Sequence, residues 1–182
     1  MGPIFVALYL FGEGWGISGL LYPALLLAVV AFCELTDIFD GFVARKRNQV
    51  TPLGKMLDPM ADSFFRLSVF FAFTQGPLKL PLMVVLIFFW RDSLVNTLRA
   101  LCALQGFPLA ARTSGKIKAV VQAVATFIIL VLMFPYVTGC LPLLDFQKIS
   151  LMSAALAAAY TLYSGCEYLW VHRQLIQKAL KS

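Results

Sequence analysis

The sequence predicts an all-α membrane protein, a six-transmembrane-helix bundle folded as one domain over residues 1–182, and three observations predict it. Composition is the first: the chain is 60% hydrophobic, 14% aromatic and only 13% charged, whereas soluble domains are about half apolar and a quarter charged. Run length is the second. Residues 14–33 and 119–144 carry no charge, and about 20 helical residues cross a hydrocarbon core of ~30 Å. The third is the placement of the bases, which collect in alternate connections, as the positive-inside rule requires of a multi-span protein.

Each element follows in order. Residues 2–11 form an apolar first helix ended by the turn residues between Gly12 and Gly16; ten residues rise only about 15 Å, so this span reads as truncated at its start. The second helix, 17–45, contains the first charge-free run and ends ahead of Asn48, Pro52 and Gly54. The third covers 55–74 and stops at the Gly76–Pro81 joint, and the fourth covers 81–104 before the glycines at 106 and 115. A fifth helix, 117–134, lies mostly within the second charge-free run. The sixth, 150–172, continues past Glu167 through an apolar stretch. Nothing alternates like a barrel strand, and backbone in lipid must be satisfied within helices or closed barrels.

Arg45, Lys46, Arg47 and Lys55 fall in the second connection, Arg112 and Lys116 in the fourth, and Arg173, Lys178 and Lys181 at the end. These segments are therefore expected on the cytoplasmic side, with both termini there as well. The N-terminus has neither a basic n-region nor a small-residue cleavage motif, so it is expected to stay in place. The net charge of +6 follows topology, which points to anionic lipid as partner and not to nucleic acid. Cys33, Cys102, Cys140 and Cys166 lie too far apart for a zinc site to be read from them.

Charge at membrane depth is costly and normally faces a bundle interior or wet cavity. Asp37 and Asp40 are three residues apart at the end of the second helix; Asp58 and Asp62 are four apart at the start of the third. Both spacings place a pair on one helical face. Four uncompensated carboxylates would repel, and hard divalent cations relieve that: carboxylate oxygens suit Mg²⁺ or Mn²⁺. Two such ions can stabilise the attacking and leaving oxygens of a phosphoryl displacement. A carrier of cations or protons is the competing class, but it would show related halves and helices broken at mid-membrane, and no internal repeat is present. His172, the sole histidine, ends the last helix far from any nucleophile, so direct displacement is simpler than a covalent route.

Asp37, Asp40, Gly41, Ala44, Arg45, Gly54, Asp58 and Asp62 fit D-x2-D-G-x2-A-R-x8-G-x3-D-x3-D. This resembles the signature of the CDP-alcohol phosphotransferase family. The resemblance implies that the aspartates hold two Mg²⁺ or Mn²⁺ ions and that Asp62 also acts as general base on the acceptor hydroxyl. It places Gly41, Ala44, Arg45, Thr51 and Gly54 at the CDP moiety. Taken without the aspartates, Gly41 and Ala44 read equally as small packing residues and Arg45 as an interfacial anchor.

The segments TDIFDGFVARKRNQVTPLGKMLDPMAD, RDSLVNTLRA, SGKIKAVVQ and YTLYSGCEYLW resemble the bacterial phosphatidylglycerophosphate synthase branch of that family. They imply transfer from CDP-diacylglycerol to sn-glycerol 3-phosphate in phospholipid biosynthesis, in a homodimer of the inner membrane with its site on the cytoplasmic side. Cardiolipin, phosphatidylinositol phosphate or phosphatidylserine synthesis, or a catalytically silent relative, are the alternatives. Two departures stand out: no N-x-x-T-x-x-R segment precedes Pro3, and Ser63 occupies a position where the branch commonly has lysine.

Arg91, Arg99, Arg112 and Lys116 are expected to bind the acceptor phosphate. Arg91 follows eleven uncharged residues, and arginine's planar fork suits a phosphate. Arg91 and Arg99 differ by about 80° in helical direction and so lean to one side. Lys116 and Lys118 cannot share a face, and Lys116 is expected to be the inward one. Snorkelling anchors are the competing reading for all of these bases, and Arg91 fits that reading least.

Overall fold

The computed structural model describes residues 1–46, 52–104 and 113–181; within these, side chains at 37, 38, 40–46, 52–59, 103, 104, 175 and 177–181 lie outside the description. Among the described residues the chain forms six α-helices and no strand. They are α1 (Gly2–Phe11), α2 (Leu21–Lys46), α3 (Pro52–Ala72), α4 (Leu82–Leu104), α5 (Thr113–Val137) and α6 (Leu143–Lys181).

The helix ends differ from the sequence reading for local reasons. α2 begins at Leu21 and not at residue 17, because Gly16 and Gly19 take φ of 80° and 63°, a left-handed conformation that glycine adopts without a Cβ clash. α6 begins at Leu143, directly after Pro142, and Asp145 lies in its first turn, where a carboxylate complements the helix dipole. Asp145 and Lys148, outside the 150–172 expected of the last helix, are therefore part of it. α5 runs past Pro135, and the Leu141 amide closes the joint on the Pro135 carbonyl at 2.9 Å.

α1 packs on α2 and α3; α4 packs on α3 and α6; α5 packs against α2, α3 and α6. An aromatic cluster ties α1, α3 and α4 together. Phe73 meets Phe5, Tyr9 and Phe70 edge-on at 6.0, 5.6 and 6.0 Å, and Phe70 lies 4.7 Å from Phe88. Tyr22 donates to the Tyr9 carbonyl at 2.7 Å, fixing the start of α2 on α1.

The interior changes polarity along its length. On α5 the buried residues run Ser114, Lys118, Gln122 and Thr126, then Ile129, Leu130 and Met133. The first four recur every fourth residue and form one stripe. Ala154, Ala157 and Ala158 of α6 are buried, and small residues of this kind let helix backbones approach closely. Outside, large apolar side chains stand in the open: Met83, Trp90, Leu156 and Trp170 are 69–71% exposed. Among the described residues two stretches, Thr113–Val137 and Leu143–Gln174, are long and apolar enough to cross a membrane.

Candidate active site at the polar end of the bundle

α2 is helical through Lys46 and α3 from Pro52, so each aspartate pair stands on a regular helix. Positions three or four apart are then neighbours on one face. Asp62 is half-buried. The side chains of Asp37, Asp40, Gly41, Ala44, Arg45, Gly54 and Asp58 lie outside the description, and Thr51 and Arg112 lie outside the described residues altogether. Among the described residues α2 and α3 do not meet directly; each touches both α1 and α5. Among the same residues no three metal-binding side chains converge. The donor type at the four signature positions, carboxylate without thiol or imidazole, is the type that hard divalent ions prefer.

A second charged group, joining α4 to α5, occupies the interior. Asp92 of α4 is 3% exposed and Lys118 of α5 equally so. Lys118 Nζ donates to both Asp92 carboxylate oxygens at 2.6 and 2.8 Å, and Arg91 Nη1 donates to Asp92 Oδ1 at 3.0 Å. Arg66 of α3 acts electrostatically on the same lysine.

This arrangement reverses the expectation for the two lysines: Lys116 is exposed and Lys118 is buried. The reason is phase. Lys118 shares the stripe of Ser114 and Gln122, whereas Lys116, two residues away, falls on the opposite side of the helix. Gln122 Nε2 reaches Thr161 Oγ1 at 3.3 Å, and Thr161 donates to the Ala157 carbonyl at 2.7 Å. The polar stripe thus docks on α6.

Arg91 and Arg99, about two turns apart on α4, both meet α6, at Gly165 and Tyr168. A Cβ added at Gly165 would stand 3.0 Å from Arg91 Cγ; glycine there makes room for the arginine. Arg99 Nε donates to Tyr168 Oη at 3.4 Å, with its guanidinium 5.4 Å from the ring centre. Between α3 and α4 a cavity of about 330 Å³ has Ser63, Asp92, Asn96 and Thr97 among its lining residues.

Sequence reasoning missed Asp92 and Arg66. A signal existed for the first: it follows Arg91 directly and is the sole carboxylate of α4, so the rule that intramembrane charges pair would have marked it. Its main partner, however, is 26 residues away, and that pairing is set by helix contact.

Residues 1–163 match the CDP-alcohol phosphatidyltransferase family, and the chain belongs to it. Within the family it is similar to the CDP-diacylglycerol–glycerol-3-phosphate 3-phosphatidyltransferase of Bacillus subtilis, 31% identical over 172 residues that cover 91% of this chain and 86% of that one. The enzyme of the same name from Rickettsia bellii is 37% identical over 106 residues, 57% of this chain and 56% of that one. A CMP-forming cardiolipin synthase from Streptomyces coelicolor is 33% identical over 82 residues, 45% of this chain and 38% of that one.

Proposed function

We propose that this chain is an integral membrane enzyme that transfers the phosphatidyl group of CDP-diacylglycerol to sn-glycerol 3-phosphate, giving phosphatidylglycerophosphate and CMP. The observation that carries this reading is the eight-position aspartate signature lying on two helices, α2 and α3. Similarity along 91% of the chain to a relative named for that reaction supports it.

In this reading Asp37, Asp40, Asp58 and Asp62 hold two Mg²⁺ or Mn²⁺ ions, which when bound neutralise charge on the diphosphate and on the reacting oxygens. Asp62 takes the proton from the acceptor hydroxyl. The freed oxygen forms a bond to the lipid-side phosphorus, the bond from that phosphorus to the bridging oxygen breaks, and CMP leaves with the electron pair. Gly41, Ala44 and Gly54 lack bulk where the nucleotide must approach, Arg45 meets the diphosphate and Thr51 the cytidine. Arg91, Arg99, Arg112 and Lys116 were assigned to the acceptor phosphate from sequence; we assign the inward lysine position to Lys118, with Arg91 its neighbour through Asp92.

The exposed Met, Trp and Leu side chains fit a lipid-facing surface, and we read all six helices as membrane elements. The distribution of bases places the aspartates and both termini on the cytoplasmic face of a bacterial inner membrane. A homodimer is the assembly this reading favours. Similarity to a cardiolipin synthase raises a second reading, in which phosphatidylglycerol is the acceptor.

Both are tested by incubating purified protein with CDP-diacylglycerol and Mg²⁺ or Mn²⁺ and measuring CMP release with each candidate alcohol. Glycerol 3-phosphate is expected to support release and free glycerol to support little. Release with phosphatidylglycerol, serine or inositol phosphate instead would overturn the acceptor assignment and leave the transferase chemistry standing.

A further inference from the structure

Two bases stand apart from the rest. Of the 15 lysines and arginines, Lys79 and Lys148 are the two in or beside the α3–α4 and α5–α6 joints, at the end of α3 opposite the aspartates. In the proposed orientation that end faces away from the cytoplasm, where few bases belong. The fold brings the two to one place. A cavity of about 230 Å³ lies between the α3–α4 joint and the first turns of α6, and Lys79, Leu80, Pro81, Leu144, Lys148 and Leu151 are among its lining residues.

The backbone at Lys79 is unusual. Its φ is 48°, the one positive value at a non-glycine residue among those described. A side chain clashes with the backbone there, and such a conformation persists only where its surroundings hold it. The joint is held from three helices. Gln147 Nε2 of α6 donates to the Pro77 carbonyl at 2.7 Å, the Leu80 amide donates to the Phe73 carbonyl beyond α3 at 2.9 Å, and Tyr9 Oη of α1 donates to the Gln75 carbonyl at 3.2 Å. Leu78 and Leu80, on either side of Lys79, are both 3% exposed, so Lys79 stands out between two buried neighbours. Glycine would take this backbone without strain, but it would bring no cation. A base that only snorkels to the interface needs no such conformation.

Both lysines are exposed, and among the described residues neither is ion-paired; the ion pairs there join Asp92 to Arg91 and Lys118. Asp145, three residues before Lys148, is not among the lining residues. The cavity therefore offers two uncompensated ammonium groups beside leucine and proline, and Leu144 continues its apolar side outward at 67% exposure.

We infer that this cavity seats an anionic phospholipid of the outer leaflet, with the headgroup phosphate between Lys79 and Lys148 and an acyl chain starting along Leu80, Leu144 and Leu151. The inference rests on the proposed membrane reading for its side and is independent of the transferase chemistry. Charge selects the occupant, because basic residues at a membrane surface attract anionic headgroups. A zwitterionic headgroup brings its own cation toward the two lysines. A free anion leaves the leucines unused.

The test uses the purified full chain in nonionic detergent, titrated with phosphatidylglycerol or with phosphatidylcholine of the same acyl chains, and reads the melting temperature. A ligand that binds the folded state raises it. Phosphatidylglycerol is expected to raise that of the wild type by several degrees more than phosphatidylcholine, and this difference should at least halve in the double variant Lys79→Gly/Lys148→Gln. Lys79→Gly relieves the backbone, so the lipid-free double variant should melt no lower than the wild type. Lys148→Gln alone, which touches no strained position, should lose part of the difference. Phosphatidylglycerol bound at the aspartate end stabilises all three proteins alike and cancels in the comparison. Equal shifts with both lipids in the wild type, or an undiminished difference in the two variants, overturn the inference. Inorganic phosphate that reproduces the lysine-dependent shift without lipid overturns the phospholipid as occupant.

Micelles have no sides, so these outcomes do not depend on orientation. The side is read with Lys148→Cys in a chain without other cysteines, labelled by an impermeant maleimide in intact spheroplasts. Labelling there is expected. A lysine-dependent lipid shift with labelling only after permeabilisation keeps the seat and overturns its placement in the outer leaflet, whereas labelling without any such shift overturns the seat and keeps the orientation.

Discussion

At the scale of single residues, the chemistry rests on where a side chain stands relative to burial and charge. Asp62 is half-buried, open enough to meet a substrate hydroxyl, and it lies one turn from Arg66, whose Nε is buried and unpaired. Replacing it with Asn keeps the shape and, in the proposed reading, removes the base. Asp62→Asn should lower kcat by about 10² to 10⁴, the range for loss of a general base, or further if a metal ligand is lost with it. Single-turnover CMP release checks this; a wild-type rate would remove Asp62 from the proton-transfer role. The role proposed for this residue comes from the signature, which is read in the sequence. Lys118 was not legible in the same way, since its neighbour Lys116 has the same chemistry, and only the phase of α5 against its partners separates them.

At the scale of elements, and in the proposed membrane reading, helices in lipid gain little from leaving water, so packing and interhelical polar contacts carry the association. The bundle uses the two at opposite ends. Phe73 is fully buried and touches rings from α1 and α3. Phe73→Ala is expected to cost about 3–5 kcal/mol, the range for deleting a buried aromatic ring, and to lower the melting temperature while leaving both substrate KM values in place, because the cluster lies away from the polar stripe. At the other end, Asp92 with Lys118 joins α4 to α5, and Gln122 with Thr161 joins α5 to α6. A melting temperature unaffected by Phe73→Ala would mean that the aromatic cluster is not what holds α1 to α3.

For the whole molecule, in the proposed membrane reading, the bundle has a direction across the membrane, with its polar end on the cytoplasmic side. The joint that contains Cys140 lies between α5 and α6, and this cysteine is exposed, whereas Cys33 and Cys102 are buried. In the proposed orientation Cys140 faces away from the cytoplasm. A membrane-impermeant maleimide added to intact spheroplasts should therefore label Cys140 in a variant lacking the other cysteines. Labelling that appears only after permeabilisation would invert the topology and move the aspartates to the outer face. Thorough chelation should abolish CMP release, and re-addition of Mg²⁺ or Mn²⁺ should restore it; activity that survives chelation would sink the two-metal reading.

Six helices, their order and the spacing of the aspartates were determined by the sequence alone, because apolar run length and residue periodicity are local properties. Even so, local information misplaced the ends of α2, α5 and α6. At α2 the deciding fact was two left-handed glycines and, at α6, a carboxylate accommodated in the first turn. Tertiary structure decided which lysine faces inward, that Asp92 holds it, and that Arg91 threads past Gly165 to lie beside Gly115. Those outcomes depend on which helical faces meet across 24 residues or more of chain, and no pattern within a single helix records the phase of its neighbour.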